Sequence, residues 1–195
     1  MHTRLLHALL VAASALLPLA AHADVEQQGV RYADTAQLRG AALQLNGAGT
    51  RFRGPFKVYT VGLYLGRRAG TLEEAVAAPG PKRLAVTMLR EIDASELGRL
   101  FTRSVEDNLD RAAFSKLIPG LLRMSQIFTE HRKLQAGDGF TLDWVPGTGT
   151  VVSVRGVPQG EPFREPEFYD ALLRIWLGPN PADWKLKDSL LGRPA

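Results

Sequence analysis

The chain has 195 residues, 45% of them hydrophobic and 23% charged, with a formal net charge of +4 and no cysteine. The missing cysteine excludes disulfides, thiol chemistry and thiolate metal sites. The mild positive excess, with no run of lysine or arginine, argues against nucleic acid as a partner.

In chain order, Arg4, the apolar stretch Leu5 to Leu19 and the Ala21-His22-Ala23 cleavage pattern read as an export signal. The reading is a signal peptide over residues 1–23 and a single domain over 24–195, exported to the periplasm, with a mature charge of about +3 once Arg4 is removed. No later segment has about 18 consecutive apolar residues, so no membrane span is expected after signal removal. Three of the four histidines lie in the signal, which leaves His131 in "FTEHRKL" as a solvated helix-end residue rather than a triad base or zinc ligand. No metal and no cofactor is expected.

"AALQLNG" reads as a short strand ending in an Asn46-Gly47 turn. A second strand, Phe56 to Leu65, is apolar on both faces and so belongs inside a sheet covered on both sides. Alternation sets Phe56, Val58, Thr60, Gly62 and Tyr64 on one face and Lys57, Tyr59, Val61, Leu63 and Leu65 on the other. Thr71 with Glu74 opens a short helix, and "KRLAVTML" is a further strand. Asp93 caps a strongly amphipathic helix through "DASELGRLFTRSVEDNL", with Leu97, Leu100, Phe101, Val105 and Leu109 on its apolar face. A helical region from Arg111 to Lys133 is expected to break at Pro119 and Gly120. A hairpin around Gly147 to Gly149, a helix through "EPEFYDALLRIWLG" and a short segment "DWKLKDSLLG" complete the chain. This order favours an α+β fold, a largely antiparallel sheet covered by helices, over an alternating parallel one.

Three features carry possible chemistry. "GAGT", Gly47 to Thr50, lacks the lysine of a phosphate loop and reads as a tight turn into a strand. Asn108 shares the helix face of Leu97, Phe101 and Val105 and needs polar partners there, in a cleft or at a helix end. Arg51 and Arg53 place fixed charge beside an apolar strand: they reach water, or they need an anion, from a side chain or a ligand, in a pocket also faced by Thr60 and Gly62.

"LNGAGTR" followed by "FKVYTVGLYL" resembles the chalcone isomerase family, and the similarity continues through "FTRSVEDN", "ALLRIWLG" and "SLLG". The resemblance implies an open-faced β-sandwich whose large antiparallel sheet and helical layer enclose an apolar cleft. It implies for Arg51 the arginine that stabilises an enolate, for Thr60 the strand threonine, and for Asn108 the cleft asparagine. The Gly54-Pro55 break leaves Arg53 as an alternative cation. Phe101 stands where the enzymes have a tyrosine, Ser104 where they have a lysine, and Ile175 and Trp176 where they have a specificity pair. Lost donors around a retained arginine point toward the family's fatty-acid-binding members. The expectation is a protein holding a small amphipathic anion, a fatty or aromatic acid, with Arg51, Thr60, Gly62, Phe101, Ser104, Asn108, Ile175 and Trp176 around it. An intramolecular lyase acting on a chalcone-like enone through Arg51, Thr60 and Asn108 is one alternative; a structural or partner-binding exported protein is another. Oligomeric state is not readable from the sequence.

Overall fold

The structure, a computed structural model, describes residues 24–193. The export signal read over residues 1–23 lies outside them. In chain order the elements are β1 (Val25–Gln27), β2 (Val30–Tyr32), β3 (Thr35–Leu38), β4 (Ala41–Arg53), β5 (Phe56–Leu65), α1 (Leu72–Ala77), β6 (Lys82–Met88) and β7 (Ile92–Asp93). There follow α2 (Ala94–Glu106), α3 (Arg111–Thr129), β8 (Lys133–Leu134), β9 (Gly139–Val145), β10 (Gly149–Val154), β11 (Val157–Pro158), α4 (Pro166–Leu177) and α5 (Trp184–Leu190). Among the described residues no helix is long and apolar enough to cross a membrane.

Seven strands form one antiparallel sheet in the order β11-β10-β9-β6-β5-β4-β3. One face carries the main core: Tyr59, Val61, Leu63 and Leu65 of β5 and Leu84, Val86 and Met88 of β6 meet Leu97, Phe101, Phe128, Leu172 and Trp176 of the helices. The other face is covered in part by the β1-β2 ribbon, whose Tyr32 packs with Leu43, Leu45, Ala48 and Tyr64. The antiparallel sheet under a helical layer is what the element order favours, and the open face is what the family resemblance implies. From Tyr59 to Leu65 β5 alternates as its sequence predicts, but Val58, expected on the face of Thr60 and Gly62, packs on the helix side, beside the register shift between Arg51 and Phe52.

Two expectations fail for physical reasons. Asn46-Gly47 is not a turn: β4 runs unbroken past it, with a register shift between Leu45 and Gly47, and the hairpin turns instead at Gly54, whose φ of 58° suits glycine. Asn46 is buried and spends its amide on Ala69, both N–H and carbonyl, and on the Leu190 carbonyl. Helix α3 likewise continues through Pro119 and Gly120. Its buried side, Leu117, Leu121, Met124 and Phe128, packs as one stripe that outweighs one lost N–H, and Gly120 admits the Phe168 ring, which an added Cβ would meet at 2.8 Å.

The "GAGTR" segment is thereby explained. Gly47, Gly49 and Arg51 alternate onto the helix side of β4, where α5 lies across the glycines. A Cβ at Gly47 would sit 2.0 Å from the Ser189 carbonyl oxygen, and one at Gly49 would sit 2.8 Å from Ser189 Cβ. The glycines form a floor for a helix, not a turn.

Candidate functional site

Arg51 lies directly opposite Tyr59 in the β4-β5 ladder, so both point to the helix side. There a groove of about 320 Å³ opens between the end of the β4-β5 hairpin, α2 and the segment before α5. Its walls are Val58, Ile92, Leu97, Leu100, Ile175 and Ala182; its polar lining is Arg51, Arg53, Tyr59, Glu96, Arg103 and Ser104. Beneath it Phe101 stands edge-on to Phe128, Phe140 and Trp176, with ring centroids 5.6, 5.8 and 5.7 Å away. This aromatic packing fills the space between sheet and helices and confines the groove to the molecule's edge.

The charges are arranged in pairs. Arg51 Nη1 is 3.6 Å from Asp183 Oδ2 and donates to the Phe52 carbonyl at 2.5 Å, while its side chain stays 27% exposed. Asp183 also accepts the Phe52 N–H and caps α5 through the Leu186 N–H. Arg53 lies 3.8 Å from Glu96, and Arg103 has no ion pair among the described residues, so the groove keeps a positive excess. Both sequence-level candidates for the cation therefore line the groove, each facing a protein carboxylate.

Tyr59 is the polar group that sequence reasoning missed. Its hydroxyl accepts the Trp176 indole N–H at 3.2 Å, and among the described residues its own hydrogen has no acceptor. Burial pushes the phenol above its ordinary range, against the pull of the Trp176 hydrogen bond and the Arg51 charge, so it stays a neutral donor at neutral pH. Strand alternation had put Tyr59 and Thr60 on opposite faces; the missing signal was the cross-strand register, which a shift between Arg51 and Phe52 hides.

Of the other expected site residues, Phe101, Ser104 and Ile175 line the groove. Thr60 and Gly62 do not: they face the ribbon on the opposite side, where Thr60 Oγ1 bonds the Tyr32 hydroxyl at 2.7 Å. Gly62 leaves room for the Tyr32 ring, 2.4 Å from where a Cβ would stand. Trp176 is fully buried behind Tyr59 and does not line the groove; it supports it through the hydrogen bond to Tyr59 and its packing on Phe101. Asn108 closes a helix end instead of facing a cleft: its amide donates to the Ser104 and Asn180 carbonyls and accepts the Asn180 N–H, each at 2.8 Å. His131 sits just beyond α3, 3.2 Å from Gln159, away from the groove lining. The described residues hold no cluster of three or more His, Asp or Glu suited to a metal.

A seven-stranded antiparallel sheet with helices on one face, a short ribbon on the other and an arginine-bearing groove at the helix-side edge defines the class: an open-faced sandwich of the chalcone isomerase type. The chain belongs to the chalcone isomerase-like family, whose model matches residues 24–192. It is also similar in structure to a fatty-acid binding protein of Arabidopsis thaliana, with a TM-score of 0.70 and 16% identity over 87% of this chain and 96% of that one. A search of curated proteins by sequence gives no match.

Proposed function

We infer that this protein binds a small amphipathic acid, its carboxylate held by Arg51 and the Tyr59 hydroxyl and its apolar part lying along Leu97, Leu100, Phe101 and Ile175. The observation that carries this reading is the Arg51-Tyr59 cross-strand pair: a fixed cation and a donor without an acceptor, side by side at the wall of a groove whose other side is aliphatic and aromatic. The family's fold and a fatty-acid binding structural neighbour support it. The groove volume is at the small end of the roughly 300–1,000 Å³ usual for ligand sites, so a fatty acid of short or medium chain or a single-ring aromatic acid suits it better than a long chain. Residues 1–23 carry the proposal of export to the periplasm, which N-terminal sequencing of the mature protein tests directly.

Displacement of a fluorescent fatty acid by acids of graded length and by aromatic acids tests the ligand. Arg51→Gln is expected to weaken binding about 10-fold to 100-fold, the usual worth of a charged hydrogen bond, and Tyr59→Phe by a smaller factor. Binding of the whole panel unchanged by Arg51→Gln would sink this reading. No binding by the wild-type chain would favour a structural or partner-binding role, to which the packed aromatic interior already lends weight.

One observation favours a second reading, an intramolecular lyase. Tyr59 supplies beside Arg51 a hydroxyl donor of the sort that Phe101 lacks, and such a pair would stabilise a developing enolate. Loss of 2'-hydroxychalcone absorbance above the uncatalysed rate, abolished in Arg51→Gln, is its signature; a rate equal to background removes it for that substrate.

A further inference from the structure

The end of the molecule that carries the groove exposes apolar side chains that a fold of this size would ordinarily bury. Phe52 and Phe56, at the tip of the β4-β5 hairpin, are 36% and 60% exposed, and Leu100 of α2 and Trp184 of α5 are 40% and 61% exposed. They come from three separate segments, and the contacts between those segments place them on one end of the molecule. The Phe52 N–H bonds Asp183, the residue before Trp184, and Arg53 reaches Glu96 of α2, one turn before Leu100.

The charge around them is one-sided. Four acids at this end are already engaged: Glu96 faces Arg53, Asp183 holds Arg51 and backbone, Asp93 caps α2, and Glu91 bonds Lys133 and Gln135, while Glu106 and Asp107 share a surface hollow with Arg103 on its far side. Three bases are not so engaged: among the described residues Lys57, Arg90 and Arg103 form no ion pair, and Arg90 lies 5.4 Å over the Phe56 ring. Exposed aromatic rings interleaved with unpaired cations suit the headgroup region of an anionic bilayer, where rings enter the interface and lysine or arginine meets lipid phosphate.

We propose that this end of the protein docks on the surface of an anionic phospholipid bilayer, with Phe52, Phe56 and Trp184 in the interface and Lys57, Arg90 and Arg103 against the headgroups. Docking turns the groove mouth toward the lipid. The proposal goes beyond ligand binding and stands apart from it, because the residues that dock are not those that hold the acid.

Flotation with lipid vesicles tests it. The chain over 24–195 is expected to float with vesicles of phosphatidylcholine and phosphatidylglycerol at least tenfold more than with phosphatidylcholine alone, and Trp184 emission should shift to the blue, a shift lost in Trp184→Phe. Phe52→Ser with Phe56→Ser should lower flotation about tenfold. Lys57→Glu with Arg90→Glu, which leaves the rings in place, should lower it by roughly fivefold or more per side chain at low salt. Arg51→Gln should float like the wild type even where it no longer binds acids, so failure of docking and failure of the ligand reading are told apart. Absence of flotation with anionic vesicles overturns the proposal, as does flotation untouched by both double variants. A dimer that the serine variant splits, without vesicle binding, makes a second copy the occupant and also overturns it.

Discussion

Arg51 is shared between two claims, a protein carboxylate and any acid in the groove. Asp183 does three jobs at once, facing Arg51, accepting the Phe52 N–H and capping α5. Asp183→Asn keeps a capping oxygen but removes the charge that competes with a ligand. The expected result is a severalfold gain in affinity for carboxylic acids together with a stability loss of about 1 kcal/mol. Acid titration and a denaturant melt of the same variant read both; unchanged acid affinity would mean that Arg51 does not meet the ligand. At this scale the sequence was legible where one residue decides its own position. Arg51, Phe101, Ser104 and Ile175 reach the groove because a motif or a helix face places them. Thr60 and Gly62 were misplaced because which strand face shares a side with Arg51 depends on register, and register is a property of two strands. Asn108 was legible only as a choice between a cleft and a helix end, since its partner Asn180 is 72 residues away.

The elements most easily read were those whose ends carry side-chain caps. Thr71, Asp93 and Asp110 accept the first N–H groups of α1, α2 and α3, so their starts were written in the sequence or adjacent to a written one. The ribbon and β3 were not read at all. Their turns, Gln28-Gly29 and Arg39-Gly40, hold positive φ at both residues, yet Gln and Arg lack the turn signature of Asn or Asp. The glycines of β4 were misread for the opposite reason: glycine before a strand suggests a turn, and only the arrival of α5 explains it. Gly47→Ala tests that account. Its Cβ would collide with the Ser189 carbonyl, so a loss of about 1–3 kcal/mol or more is expected in chemical denaturation, with Gly29→Ala, where nothing lies near the added Cβ but φ is 80°, as the comparison for backbone strain alone. Equal losses at the two positions would refute close helix docking as the reason for the glycine.

For the whole molecule, the class of fold followed from the order of elements, because strands, then helices, then a hairpin leave few ways to bury both faces of β5. The small size of the groove did not follow, because the mutual packing of Phe101, Phe128, Phe140 and Trp176 from four elements is written nowhere locally. One property of the entire core is testable by pH. All four tyrosines, Tyr32, Tyr59, Tyr64 and Tyr169, have phenols raised above their ordinary value, chiefly by burial, Tyr64 to about 12. The unfolded chain therefore gives up these protons at lower pH than the folded one. Their contribution to stability is complete below about pH 10 and is lost as pH rises toward the folded values, by up to about 1.4 kcal/mol per pH unit for each tyrosine. Denaturant midpoints measured from pH 8 to 11.5 should fall on the alkaline side, with tyrosinate absorbance appearing together with unfolding; tyrosinate growing in ahead of any loss of stability would contradict the burial.

The contact between Asn46 and the Leu190 carbonyl spans 144 positions of the chain, and the one between Phe52 and Asp183 spans 131. Both strands of the central hairpin can be synthesised, and can pair, long before the helix that rests on Gly47 and Gly49 exists. During that interval the glycine floor of β4 lies open, an uncovered stretch of strand to which a chaperone, or another nascent chain, has access. Covering of that floor thus waits for α5, which lies more than 130 positions further along the chain.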